Sequence, residues 1–484
     1  MIKPITRRES LLAGLFGSGY IGLRALATGL PAWFLLNPRR ATAQDLQCML
    51  AAANNKQYLV LSTSSNGDPI NCNAPGTYEA TDIIHPTVDS EMQATTIQVG
   101  GTTLGAPLPW ADPSVMGTTS STTLGKIPTG QFPSTLLART CFFHHQTGTV
   151  VHGDQPKVMK VMGSTSGGEM MVSAFAKHLA VCFGTVRTEP IAVGAGSNGG
   201  EFVSFAGRTL PSISPQQLKQ LLTGSTTDPL VKLQSQRDTD LDSMNALIKS
   251  QYSAGSVQAQ FLDALATSQT ELRTTASQIG TALANIKGND VTSQTWAAAA
   301  LIAAKVTPVV TMHIPFGGDN HSDSNLQAES DQYYTGVGAI NSLFTNLASL
   351  PGTLADQVSF ATMNVFGRNL SGISKVTSRT GRDHWGNHNV MVMVGKNFKS
   401  SVVGGVLADS SGGYAANGID PSSGTGSASG SIKAGDTLVA AARTLGAGLG
   451  IPDSVQASDW ANGGPSGTAV TVTAALSTIP AAAS

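Results

Sequence analysis

Residues 295–321 read TWAAAALIAAKVTPVVTMHIPFGGDNH, and this stretch decides the fold. Residues 295–305 form a small-residue helical pattern that feeds directly into residues 306–314 (VTPVVTMHI), which end in the polar turn FGGDNH. The strand pattern is nearly continuously apolar, as expected of a strand covered on both faces in a parallel sheet. Working outward, similar runs recur at residues 58–62 (YLVLS), 140–143 (TCFF), 179–183 (LAVCF), 358–363 (VSFATM) and 390–394 (VMVMV). Helical segments lie between several of them. The pattern predicts an α/β fold, a doubly wound sandwich around a mainly parallel central sheet.

The chain has 484 residues, of which 41% are hydrophobic and 12% charged, enough to bury a sizeable core. This excludes a disordered or collagen-like chain. With 29 Lys+Arg against 30 Asp+Glu and no basic run, nucleic acid is not an expected partner.

The first 43 residues read as an address. A twin arginine (Arg7-Arg8) precedes a weakly apolar, Gly-rich stretch, a second pair (Arg39-Arg40) follows, and Ala41-Thr42-Ala43 offers a small-x-small cleavage site. Arg24 interrupts the apolar run, leaving no uncharged span long enough for a membrane. Residues 1–43 are thus expected to be a twin-arginine signal peptide, with the twin-arginine translocase as partner during export. Its removal takes away six basic residues and one acidic residue, leaving 23 basic against 29 acidic side chains. The mature chain, residues 44–484, is expected to be periplasmic or secreted and free of the membrane. All four cysteines (Cys48, Cys72, Cys141, Cys182) lie in it, and spacing does not choose among the three possible pairings.

The region 214–292 differs from the rest. Ser214-Pro215 and Asp228-Pro229 each place a capping residue before a proline at the first helical position. Leu241, Met244, Leu247 and Ile248 then follow helical spacing, as do Phe261, Leu265, Leu272, Ile279, Leu283 and Ile286. This region is read as a helical cap inserted into the α/β domain, with the first apolar group packing a helical hairpin. Residues 409–431 are Gly/Ser-rich and are expected to form a mobile loop.

Polar clusters border the strands: residues 64–71 (SSNGDPIN), 144–152 (HHQTGTVVH), 316–321 (FGGDNH), 364–368 (NVFGR) and 383–388 (DHWGNH). Ligand sites of open α/β sheets form beyond the carboxyl ends of the strands, so these distant loops are expected to converge. Six of the nine histidines (144, 145, 152, 321, 384 and 388) fall in them. Taken singly, each reads as an ordinary hydrogen-bonded loop residue. As a set, Asp319-x-His321 and Asp383-His384-x-x-x-His388 supply two carboxylates and three imidazoles, and Asp68 adds a third carboxylate. That mixture suits a divalent cation.

These motifs carry a resemblance. Asn66-Gly67-Asp68-Pro69-Ile70-Asn71, Gly317-Gly318-Asp319-Asn320-His321, Asn364-Val365-Phe366-Gly367-Arg368 and Gly381-Arg382-Asp383-His384-Trp385-Gly386 follow one another in order. They resemble the GG-x-DGLN, GGWDTH, SEFGR and TDHG motifs of a family of twin-arginine-exported bacterial proteins of unknown function. That family is placed in the alkaline phosphatase/sulfatase superfamily. The likeness spans nearly the whole mature chain and is densest over residues 295–405. Asn364 and Val365 replace the Ser and Glu of SEFGR, Pro69 stands where Gly is usual, and the aromatic of GGWDTH is missing. An acidic ligand of a second metal is thereby lost, which implies a one-metal or degenerate version.

The resemblance implies an alkaline-phosphatase-like fold and a metal-dependent hydrolase acting on a small anionic phosphate or sulfate ester. Asp68, Asp319, His321, Asp383, His384 and His388 would hold zinc, calcium, magnesium or manganese. Arg368 would clamp the anionic group, and Thr147 or Thr149 would be the nucleophile. The competing expectation is a non-catalytic exported protein that keeps the fold, since no serine carries a nucleophile signature such as GxSxG.

Overall fold

The computed structural model describes residues 55–477 apart from 80–82, 87–89, 119–127, 195–202, 224–233, 351, 371–380, 409–412 and 461–462. Between 254 and 278 it describes only 255–256, 258–259, 262 and 266. Residues 1–43, expected to be a signal peptide, and Asp228-Pro229, Phe261, Leu265 and Leu272 lie outside the described residues.

Eight strands make one sheet: β1 (Tyr58–Ser64), β2 (Thr140–His145), β3 (Ile191–Val193), β4 (Ser212–Ile213), β5 (Val309–Met312), β6 (Val358–Asn364), β7 (Asn389–Val394) and β8 (Ser401–Val403). Their order is β8-β2-β7-β6-β1-β5-β3-β4. Neighbours pair in parallel except at β7, which runs antiparallel to both β6 and β2. The mainly parallel sheet expected from the sequence is therefore present, with one reversed strand.

Six longer helices accompany it: α1 (Met171–Phe183), α2 (Pro215–Thr223), α3 (Gln234–Ser250), α4 (Val291–Ala303), α5 (Gln327–Ala348) and α6 (Thr437–Gly448). Every residue of β1 is buried. Tyr58 and Val60 join one core cluster with α4 and α5, while Leu59 and Leu61 join another with α1 and α6. Burial on both faces is the physical reason that these strands show no polar alternation. Ala297–Ala300 of α4 are all buried, and their short side chains let the helix lie close to the sheet.

Three local expectations change. Residues 179–183 are the end of α1, not a strand; Val181 is 53% exposed, as a helix allows and a strand buried on both faces does not. The described part of the 409–431 segment is built into the fold. Ile419 is buried and exchanges two backbone hydrogen bonds with Ile432, at 2.9 and 3.0 Å. In the cap region, Ile279, Leu283 and Ile286 are buried against the main core, whereas Met244 and Leu247 of α3 stay exposed. The α2 start follows the sequence reading. Ser214 Oγ accepts from the Gln217 amide at 3.3 Å, and Gln217 Oε1 accepts from the Ser214 amide at 3.1 Å, a reciprocal cap. Cys72 and Cys141 are buried free thiols, with burial pushing each up to about 12, and Cys182 is disulfide-bonded.

Candidate metal centre

Strand register brings the polar loops together. Ser64 of β1 lies beside Asn364 of β6, and Ser62 lies beside Met312 of β5, so the loops after all three strands leave the sheet at one level. Residues 383–388 precede a strand instead of following one, and they reach the same rim only because β7 is reversed. Asn389 at its start lies opposite His145 at the end of β2. The loop after β2 then fastens to them: the Thr147 and Gly148 amides both donate to the Gly386 carbonyl at 2.9 Å.

At this rim His152, Asp319, His321 and His384 each present one ligand atom, all within 4.8 Å of one another. Asp319 Oδ2 is 3.5 Å from His152 Nε2; Asp319 Oδ1 is 3.5 Å from His321 Nε2 and 3.9 Å from His384 Nε2. His321 Nε2 and His384 Nε2 are 2.6 Å apart.

What surrounds these four side chains fixes how they point. His152 Nδ1 lies 2.6 Å from the Ser65 carbonyl and His384 Nδ1 lies 2.7 Å from the Val150 carbonyl. A carbonyl only accepts, so both Nδ1 atoms carry a proton, and in the neutral ring this tautomer leaves the Nε2 lone pair facing the cluster. His321 Nδ1 has the Asp383 carboxylate at 3.9 Å. Asp319 Oδ1 accepts from Arg368 Nη2 at 2.8 Å. Imidazoles whose second nitrogen is held by a carbonyl or carboxylate are the usual support of a metal ligand set. Burial, then the charge of Arg368, pushes His384 down to about 4, so it is neutral near pH 7 and able to ligate. Burial raises Asp319, but the Arg368 hydrogen bond and charge outweigh it and hold the carboxyl below its ordinary value. A His/Asp cluster able to hold a metal ion is thus present.

Of the six ligands expected from the sequence, Asp319, His321 and His384 converge, Asp383 faces the far nitrogen of His321 at 3.9 Å, and Asp68 and His388 are buried in hydrogen bonds of the fold. Asp68 is buried with both oxygens engaged, accepting from Ser64 Oγ and from the Phe316 amide, each at 2.9 Å. It latches the loop after β1 to the loop after β5. His388 is buried in a chain whose proton positions are determined. The Pro75 carbonyl accepts from His144 Nε2 (3.1 Å), His144 Nδ1 accepts from His388 Nε2 (3.0 Å), and His388 Nδ1 accepts from Asn71 Nδ2 (3.3 Å). His152 was visible in the sequence only as one member of a loop cluster. Its neighbouring acid, Asp154, lies two residues on but turns to Thr149 and Lys157, at 2.6 Å each, and not to the cluster.

The buried histidines predict a pH dependence. Burial pushes His144 and His145 down to about 4, and burial and then the charges of His144 and His145 lower His388 well below its usual value. The unfolded chain takes up these protons near pH 6.5 and the folded chain does not, so stability present above pH 6.5 is lost as pH falls toward 4. The depression corresponds to something on the order of 3 kcal/mol for each of His144 and His145. Urea midpoints measured at pH 7.5, 6 and 5 are expected to fall steadily, and a flat profile would contradict the assignment.

The catalytic candidates also change character. The Arg368 side chain is fully buried; its Nε donates to the Gly67 carbonyl (2.6 Å), Nη1 to the Arg382 carbonyl (3.3 Å) and Nη2 to the Asn66 carbonyl (2.7 Å) as well as to Asp319. It is placed opposite His384 in a short ribbon between Gly367–Arg368 and His384–Trp385. Arg368 is therefore committed to three backbone carbonyls and to Asp319, which it orients within the cluster. Thr149 Oγ1 donates to Asp154 at 2.6 Å within a local turn, and Thr147 and Thr149 are only 2% and 7% exposed. Neither threonine lines the cleft that opens beside Asp319.

One acid beside the cluster, Glu329, was not marked in the sequence. Glu329 of α5 and Arg382 form a buried ion pair, with Nε–Oε2 2.7 Å and Nη2–Oε1 3.0 Å. Asn73 and Asn320 each donate to the same carboxylate at 2.7 Å. Just before Arg382, Gly381 donates its amide to the His321 carbonyl at 2.7 Å, and a Cβ on it would lie inside the Asn320 backbone. Gly381→Ala is therefore expected to cost about 1–3 kcal/mol and to pull His384 away from His321. Thermal melts and metal analysis of this variant both read the effect. Gly317 adopts φ +120° against Pro69, Cγ lying 2.6 Å from a Cβ position, so the GGDNH turn needs glycine here.

A cleft of about 750 Å³ opens from Asp319 toward the start of α4, lined among others by Asn66, Asp290, Gln294, His313, Asn320 and Gln332. No model of a known protein family matches the chain, and no curated protein matches it either.

Proposed function

We propose that the chain is a metal-dependent hydrolase of phosphate or sulfate esters, built on an alkaline-phosphatase-like fold and exported by the twin-arginine route. The observation that carries the reading is the cluster of His152, Asp319, His321 and His384, in which outside hydrogen bonds hold His152, His384 and Asp319, and the Asp383 carboxylate faces His321 at 3.9 Å. Three imidazole nitrogens and one carboxylate suit zinc or manganese better than calcium or magnesium, which favour all-oxygen sets. A divalent ion bound there supplies Lewis acidity and lowers the pKa of a coordinated water. The chain's own residues do the positioning. Arg368 holds Asp319, the Ser65 and Val150 carbonyls hold His152 and His384, and Asp383 faces His321. With Thr147 and Thr149 buried, water is the nucleophile this reading requires.

The commitment of Arg368 to backbone carbonyls favours a second reading, a non-catalytic metal protein of the periplasm. Metal analysis of the purified protein tests the shared part, with roughly one equivalent of zinc or manganese expected. Absence of metal from folded protein would remove both. Turnover of nitrophenyl phosphate or nitrophenyl sulfate, abolished by chelation and restored by zinc or manganese, then separates enzyme from non-enzyme.

A further inference from the structure

The cleft beside the metal cluster has an unusual balance of charge. Among the described residues that line it there is no lysine or arginine, while five side-chain amides (Asn66, Asn289, Gln294, Asn320 and Gln332) do line it. Three carboxylates also border it, and each is already compensated. Asp319 accepts from Arg368. Asp290 caps α4, accepting from the Ser293 amide at 2.7 Å. Asp323 accepts from the Ala328 and Glu329 amides, at 3.2 and 2.9 Å, at the start of α5. Carboxylates at helix N-termini are neutralised in part by the helix dipole. The N-terminus of α4 is thereby closed to an outside anion, because Asp290 occupies it.

What the cleft offers a ligand is therefore uncharged hydrogen bonding, chiefly from the side-chain amides of Asn66 and Gln332, since Asn289 pairs with Gln216, Gln294 with the His313 amide and the Asn289 carbonyl, and Asn320 with Glu329. Such a surface pairs with hydroxyl groups. It gives no counter-ion to a phosphate away from the metal, and its carboxylates are already tied to Arg368 or to the amides at the starts of α4 and α5. We infer that the cleft binds an uncharged, hydroxyl-rich group, a sugar or polyol, so that the ester presented to the metal is a sugar phosphate or sugar sulfate. The identity of this group rests on the cleft alone; its standing as part of an ester rests on the metal-dependent hydrolase reading.

Saturation-transfer NMR on the full chain tests the inference, using methyl α-glucoside, choline and phenyl phosphate at equal concentration and metal content measured on the same sample. The glucoside is expected to take up saturation with or without EDTA, choline to take up little, and phenyl phosphate to do so only while metal is present. Gln332→Leu is expected to weaken glucoside transfer on the order of threefold, the loss of one hydrogen bond, with metal content unchanged. Asn66→Leu provides an independent second variant. Dominant transfer to choline, phenyl phosphate binding that survives EDTA, no transfer to the glucoside, or glucoside transfer undiminished in both variants would overturn the proposal. Glucoside binding by a chain that takes up no metal would instead sink the metal reading and leave the cleft assignment standing.

Discussion

Replacing Arg382 with methionine is expected to lower the unfolding free energy by about 3–5 kcal/mol, the usual cost of stripping one partner from a buried ion pair. Glu329 is fully buried, and without Arg382 its charge keeps only the amides of Asn73 and Asn320. The Ile84 and Asn369 carbonyls lose donors as well, at 2.5 and 3.2 Å. Because Arg382 sits one residue before Asp383 and two before His384, the loss is expected to propagate into the His/Asp cluster. Glu329→Gln is expected to act similarly. The double variant Arg382→Met/Glu329→Leu is expected to recover much of the loss, since no lone charge is left buried. A single-variant loss below about 1 kcal/mol in denaturant titrations would show that the pair is not the anchor the geometry indicates.

His384→Ala is expected to weaken metal binding by on the order of 100-fold or more while leaving the fold intact. Even loss of a residue that only supports a ligand costs 10–100-fold, and His384 points its own lone pair at the shared volume. Its side chain is also partly exposed, so truncation leaves no large sealed cavity. His152→Ala is expected to behave in the same way. His388→Ala provides the contrast: it breaks the His144–His388–Asn71 chain, so it is expected to lower stability while the metal content of the surviving folded protein stays near normal. Competition titration with a chromogenic chelator, run beside thermal melts, separates the two classes. Equal metal affinity in wild-type and His384→Ala protein would return His384 to the role of a hydrogen-bonded loop residue.

Much of the sheet was legible in the sequence because burial on both faces leaves an apolar run with no competing period, as at residues 58–62, 358–363 and 390–394. The failures have the same physics. Residues 179–183 are equally apolar, yet the buried face of α1 accounts for them, and a five-residue window does not separate the two periods. β3, β4 and β8 are two or three residues long and left no pattern to read. In the site, Asp319, His321 and His384 were found because acid and imidazole lie close in sequence. His152 also has an acid two residues on, Asp154, but that carboxylate is taken by Thr149 and Lys157, so spacing alone did not tell this imidazole from an ordinary loop residue.

The sequence by itself determined the class of fold and the loops from which ligands would come, because hydrophobic period and polar turns are local properties of the chain. Only the tertiary structure decided which acids and imidazoles do which work. Asp68 and His388 have the same chemistry as Asp319 and His384. The reversal of β7 and the register of β1 with β5 and β6 bury the first two among fixed donors and leave the second two at the rim. A carboxylate or an imidazole becomes a ligand or a strut according to which partners reach it first, and those partners come from strands far apart in the chain.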